Sequence, residues 1–257
     1  NNMIIAITAQ KGGTGKTTTA ATMAAGLTLK GYKVLLIDLD QQGSLSFICK
    51  ADATGKTTLG ILTREITAEE AIQPVEIADI IPANKALAGA EAVLKETGGE
   101  YRLKEALEPI KGKYDFIIID CPPALGSLTI NALTAADKVI VPAQADILSL
   151  AGITQLYDSC KLVKKYTNKE LEIAGILLAK HSNRTVLKRD LEEVLREQLS
   201  QQMQSKVYTA TIREAVAINE AQYMQQSLFS YAGNSKVAED YRAFIEEFLQ
   251  DIKVKRG

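Results

Sequence analysis

The sequence predicts an α/β fold, a doubly wound and mainly parallel sheet flanked by helices. Three observations point there. Short apolar runs rich in β-branched residues recur between longer helical stretches. Val34-Leu35-Leu36-Ile37 and Phe116-Ile117-Ile118-Ile119 are apolar without alternation, as in strands covered on both faces. The first run, Met3-Ile4-Ile5-Ala6-Ile7, leads directly into a glycine-rich segment and then a small-residue helix.

Taken in order, the apolar run at 4–8 is the first strand, and the Ala- and Thr-rich stretch at 17–30 the first helix. Further strands are expected at 33–37, 77–81, 116–119, 138–141, 173–178 and 207–212, where apolar and β-branched residues cluster. Helical patterns fill the gaps at 85–94, 100–107, 128–135, 150–166, 186–199, 214–225 and 235–252. No repeat, low-complexity tract or long linker interrupts them, so one domain is expected over 1–257, with Met3 as the native start after Asn1-Asn2.

Composition narrows the class. Hydrophobic residues make up 46% and charged residues 24%, which suits a globular chain that buries a sizeable core. No apolar run approaches a membrane span, and none reads as a signal peptide, so a cytoplasmic location is expected. Cys49, Cys121 and Cys160 are too widely spaced for a disulfide framework or a C-x-x-C pair, and are expected to be reduced thiols. The net charge of −1 gives no global signal for nucleic acid. Locally, residues 61–110 carry five basic and ten acidic side chains, whereas residues 180–213 carry seven basic and four acidic ones. The latter stretch is either a basic face or a solvated helix with i,i+4 pairs.

Three strand ends carry the chemistry. The first is Gln10-Lys11-Gly12-Gly13-Thr14-Gly15-Lys16-Thr17-Thr18, between a strand and a helix. That is the setting of a phosphate-binding loop, in which glycines let successive N–H groups turn inward and the following helix adds its positive end. Lys16 is placed for the β- and γ-phosphates and the Thr17 hydroxyl for Mg²⁺. The usual leading glycine is replaced by Gln10, and a second lysine, Lys11, follows it. The second site, Asp38-Leu39-Asp40-Gln41-Gln42-Gly43, closes the strand at 33–37. Its two carboxylates are expected to face opposite sides, one toward the metal and lysine, the other toward the γ-phosphate to orient a water. The third, Asp120-Cys121-Pro122-Pro123, closes the strand at 116–119, the position of a Walker B metal-binding aspartate.

Together these segments resemble the ParA/MinD family of P-loop ATPases. Lys11-Gly12-Gly13-Thr14-Gly15-Lys16-Thr17-Thr18 looks like that family's deviant Walker A motif, with Lys11 its signature lysine. Asp120-Cys121-Pro122-Pro123 followed by Thr129-Ile130-Asn131-Ala132-Leu133 is similar to the ParA branch. The resemblance runs from about residue 3 to 250 and implies a P-loop fold. It implies ATP and Mg²⁺ as cofactors, held by Gly12 to Thr18, and a homodimer formed on ATP in which Lys11 reaches the partner's phosphates. Asp40 would position the hydrolytic water, Asp38 support the metal and dimer region, and Asp120 serve as the Walker B acid. It implies chromosome or plasmid partitioning by non-specific DNA binding, with hydrolysis stimulated by a ParB-like centromere-binding partner and nucleoid association when ATP is bound.

Asn183-Arg184-Thr185 looks like a DNA-contacting segment, which assigns Arg184 to DNA, with Lys188, Arg213 and Lys236 as further basic candidates. Segments 179–183 and 211–217 are expected to build the adenine pocket, with Arg213 beside the nucleotide. Gln41 stands where relatives carry proline. The alternative is a MinD-like membrane ATPase, which requires a basic amphipathic C-terminal helix. Glu246, Glu247 and Asp251 oppose that reading, so no stable membrane association is expected. His181, the only histidine, is expected to be structural or to lie near the nucleotide, and Cys121 to be a buried thiol.

Overall fold

The structure, a computed structural model, describes residues 2–180, 186–202 and 204–254. Its strands are β1 (Met3–Ile7), β2 (Val34–Asp38), β3 (Gln73–Pro74), β4 (Asp79–Ile81), β5 (Phe116–Asp120), β6 (Lys138–Ala143) and β7 (Glu172–Leu178). They form one sheet in the order β3-β4-β2-β5-β1-β6-β7. Every pairing is parallel except β3 with β4. The α/β, mainly parallel architecture read from the sequence is therefore the observed one.

Both faces of the sheet are covered, and the period of two along each strand divides its side chains between two cores. Ile5, Ile7, Leu36, Phe116 and Ile118 enter one core. Ile4, Ala6, Leu35, Ile37, Ile117 and Ile119 enter the other. Every residue of β1, β2 and β5 is buried, which is why these runs carry no polar alternation.

The first core is roofed by α1 (Lys16–Leu29) and α12 (Lys236–Val254). In α12, Val237, Tyr241, Phe244, Ile245, Phe248 and Ile252 recur at helical spacing and are all buried. Phe248 meets Phe116, and Phe244 meets Tyr208, both edge to face. Each large side chain buried this way contributes roughly 1.5–3 kcal/mol. The apolar stripe of α12 is thus consumed by the core. The second core is covered by α6 (Arg102–Leu107), α7 (Ser127–Ala135), α8 (Ile147–Tyr166) and α9 (Val186–Gln202).

The structure departs from the sequence reading at several places. Residues 207–212 are not a strand. Val207 makes a single bridge to Ile176, and Arg196 Nη1 donates to the carbonyls of Val207 and Tyr208. Tyr208 then turns its ring inward against Gly175, where a Cβ would stand 2.6 Å from the ring. A buried aromatic and a side-chain donor therefore compete successfully with the ladder.

The expected helix at 85–94 is a 3-10 turn (Lys85–Ala90) followed by the short α5 (Glu91–Leu94), and 100–107 likewise begins as a 3-10 turn (Gly99–Tyr101) before α6. Four short helices were not expected: α2 (Ser44–Ile48), α3 (Thr58–Thr63), α4 (Ala68–Ala71) and α11 (Leu228–Ala232). At four to six residues they are too short to show a hydrophobic period. The helix expected at 214–225 is α10 (Val216–Tyr223). Among the described residues, no helix is long and apolar enough to cross a membrane.

Candidate functional site

The sheet order places β2, β5 and β1 side by side, so their carboxyl ends bring the glycine loop, Asp38 and Asp120 together. This is the edge at which parallel α/β sheets bind ligands. The loop leaves β1, crosses Gly13 and enters α1 through Gly15, whose φ of 89° is left-handed. A side chain there would strain the backbone that turns N–H groups toward the cleft. Thr14 Oγ1 donates to the Lys11 carbonyl at 3.2 Å and braces the loop from within. Lys16 is buried at the first position of α1, whereas Gly12 and Gly13 are exposed at the loop surface.

Thr17 and Asp120 meet directly, with Thr17 Oγ1 donating to Asp120 Oδ2 at 2.7 Å. The other oxygen, Asp120 Oδ1, is buried and has no partner among the described residues. Burial, and next the negative charge of Asp38, push the Asp120 carboxyl up to about 7, with Lys16 and the Thr17 bond pulling back. Asp38 is also fully buried, and accepts from Ser46 Oγ at 2.6 Å, Ser46 N at 3.0 Å and Asp40 N at 3.1 Å. Burial pushes it up to about 6 against the pull of those bonds.

The two acids of the second site do part company, but not by strand alternation, which would put residues two apart on one face. The strand stops at Asp38, and the turn that follows carries Asp40 outward. Asp40 is half-buried, and its Oδ1 accepts from Gln42 N at 3.0 Å.

An orphaned carboxylate oxygen beside a hydroxyl and a second buried carboxylate is a hard, all-oxygen donor set, which fits Mg²⁺. No group of three or more His, Cys, Asp or Glu ligands occurs among the described residues. A divalent ion there would need oxygens from water and a phosphate to complete its shell.

The cleft over the loop has a volume of about 280 Å³ and is bounded by Gly13, Gly15, Lys16, Thr17, Lys180, Arg213 and Asn219. Gln222 Nε2 donates to Thr18 Oγ1 at 2.5 Å and forms a wall between this cleft and a neighbouring cavity of about 200 Å³. Arg213 borders the cleft but is forked onto Asp240, with Nε and Nη2 at 2.7 and 2.9 Å from its carboxylate oxygens. Lys236 is exposed one turn before Asp240 on α12, so these two basic residues lie near each other. Lys188 lies on α9. Arg184 and His181 lie outside the described residues.

Lys11 stands apart from the other loop residues. Its Nζ lies 2.9 Å from Asp146 Oδ2 rather than over the cleft. Partial burial would raise the Asp146 carboxyl, but the bonds from Lys11 and Ser149 outweigh it and hold the group below its ordinary value. Lys180, from the segment expected near the adenine, does border the cleft, whereas Asp146 and Gln222 were not expected at the site. Asp146-x-x-Ser149 is legible as a helix cap, but its contact with Lys11 joins residues 135 apart. Cys121 is buried, and burial pushes its thiol well above its ordinary value, so it is no nucleophile.

A glycine loop between a parallel strand and a helix, with Lys16 and Thr17 at the helix head and buried acids on neighbouring strand ends, defines a P-loop nucleotide-binding protein. A family model described as AAA domain matches residues 2–173. Soj, the sporulation initiation inhibitor protein of Bacillus subtilis, is 42% identical over 95% of this chain and 97% of its own length. The chromosome partitioning protein ParA of Myxococcus xanthus is 36% identical over 96% of this chain and 88% of its own. The chain belongs to the ParA family of P-loop ATPases.

Solved structures agree. Cobyrinic acid a,c-diamide synthase from Mycobacterium smegmatis, with bound ADP and magnesium, superposes with a TM-score of 0.83 at 35% identity, covering 98% of this chain and 95% of that one. The cell division ATPase MinD of Pyrococcus furiosus gives 0.79 at 26%, covering 97% and 99%.

Proposed function

We propose that this chain is an ATP-timed DNA-partitioning ATPase. MgATP enters the P-loop cleft, the loaded chain pairs with a second copy in a sandwich homodimer, and the dimer binds DNA without sequence preference. Hydrolysis, stimulated by a ParB-like centromere-binding partner, releases it. The observation that carries this reading is the pair of lysines in one loop. Lys16 is buried at the head of α1, in the position for the phosphates of its own subunit. Lys11 is turned to Asp146 on α8, away from that cleft, and is half-exposed, which leaves it to act on a second subunit. Relatives named as chromosome partitioning proteins support the partitioning role.

In this reading the N–H groups of Gly12 to Thr18 and the Lys16 ammonium bind the β- and γ-phosphates. Thr17, Asp38 and Asp120 are the residues that would hold magnesium, which when bound offsets phosphate charge. Asp40, at the mouth of the site, orients the water for in-line attack on the γ-phosphorus. Arg213 and Lys180 flank the outer part of the nucleotide. Arg184, Lys188, Arg213 and Lys236 supply phosphate contacts to DNA, so affinity falls steeply with salt.

The apolar stripe of α12 favours DNA over a lipid surface, because Val237, Tyr241, Phe244, Ile245, Phe248, Leu249 and Ile252 are already buried in the core rather than free to insert. Co-sedimentation with DNA and with anionic liposomes, each with and without MgATP, tests the proposal. DNA binding that requires ATP is expected. Liposome binding in its place refutes it, as does hydrolysis that requires a small co-substrate.

A further inference from the structure

The signature lysine is held in place by its own subunit. Asp146 uses its two oxygens for two tasks: Oδ2 accepts from Lys11 Nζ at 2.9 Å, and Oδ1 accepts from Ser149 N at 2.8 Å, capping α8. The front of the loop is docked on the same helix. Gln10 Nε2 donates to Gln155 Oε1, and Gly152 leaves room for it, since a Cβ there would stand 3.3 Å from the Gln10 side chain. Gln10, in place of the usual leading glycine, therefore joins the loop to α8. Directly after Asp146 come Ile147 and Leu148, which are 72% and 70% exposed. The surface beside the lysine is apolar and uncovered in the single chain.

We propose that Asp146 is a positioning residue for Lys11: a cis latch that a second copy of this chain, loaded with triphosphate, must open to complete the site. The proposal rests on the trans reading of Lys11. One ammonium cannot serve Asp146 and a partner's phosphates together at full strength. The latch holds Lys11 against α8 and so raises the threshold for pairing, and a symmetric dimer must open two of them. Both side chains are 35% exposed, so each latch behaves as a half-exposed ion pair. Such a pair is worth about a twofold to fivefold change in an equilibrium constant, or about 4-fold to 25-fold for two.

Asp146→Asn keeps an effective helix cap while removing the charge. Asp146→Ser, which caps comparably, is the second variant and should behave alike. Dimer dissociation constants are measured by sedimentation equilibrium with a non-hydrolysable ATP analogue and Mg²⁺, for the wild type, Asp146→Asn, Lys11→Ala and the double variant. Asp146→Asn is expected to tighten the dimer by about 4-fold to 25-fold at low salt, with the gap closing at 1 M salt. Nucleotide affinity measured below the dimerisation range should not change. In the Lys11→Ala background the second substitution should not restore pairing. If Lys11→Ala dimerises like the wild type, the trans reading falls and the latch with it. If Lys11→Ala fails to pair while Asp146→Asn pairs as the wild type does, or more weakly, the latch alone is wrong.

Discussion

Asp120→Asn should stabilise the nucleotide-free protein while disabling it. Asp120 is fully buried, one oxygen is orphaned, and burial with the nearby Asp38 charge holds its carboxyl at about 7 against an ordinary 3.8. The folded chain therefore keeps a proton that the unfolded chain gives up above pH 3.8. As pH rises from there toward 7, folding loses about 1.4 kcal/mol per unit for this group. Over roughly three units that is about 4 kcal/mol. Part of it is shared with Asp38, so about 2–4 kcal/mol is assignable to Asp120 alone.

Asparagine has no charge to desolvate, and its carbonyl still accepts from the Thr17 hydroxyl. For a chain of this size the gain corresponds to roughly 5–10 °C in Tm at pH 8. The assay is thermal unfolding by circular dichroism between pH 5 and 8, without nucleotide or metal. The wild type should lose stability across that range and the variant should lose less. Addition of Mg²⁺ and an ATP analogue should raise the Tm of the wild type but not of the variant. A variant that melts lower than the wild type at pH 8, or that keeps the full pH slope, would refute the argument. The design principle is that a metal site stores instability that its ligand relieves.

The remaining predictions are simpler. Ser46→Ala removes the donor to Asp38 and the acceptor for Ala83 N, and should cost about 2–4 kcal/mol in urea unfolding, since two buried polar groups lose a partner. Gly43→Ala should cost about 1–3 kcal/mol and slow hydrolysis, because φ is 65° and the new Cβ would lie 2.9 Å from the Ala83 carbonyl at the turn that carries Asp40. Phe244→Ala should cost about 3–5 kcal/mol by loss of a buried ring packed on Tyr208, measured by the same unfolding, with nucleotide affinity at 4 °C retained. Asp40→Ala should leave an ATP-bound dimer that accumulates on DNA, read by phosphate release against co-sedimentation; a hydrolysis rate equal to the wild type would remove Asp40 from the site.

The sequence by itself determined the central strands of the sheet and the loop. Fully apolar runs such as Phe116–Ile119 have to be covered on both faces, and the strand-loop-helix around Lys16 follows from glycine positions and local periodicity. These are short-range properties, and they survive into the fold unchanged. Only the tertiary structure decided how the functional groups are paired and charged. That Lys11 rests on Asp146, that Gln222 reaches Thr18, and that Asp38 lies close enough to Asp120 to raise its proton affinity are contacts across 82 to 204 residues. Tyr208 shows the same limit from the other side. Its β-branched neighbourhood reads as a strand, yet the space above Gly175 and the face of Phe244 draw its ring into the core and end the ladder after one bridge. Burial and proximity are set by the whole chain's packing, which no local pattern encodes.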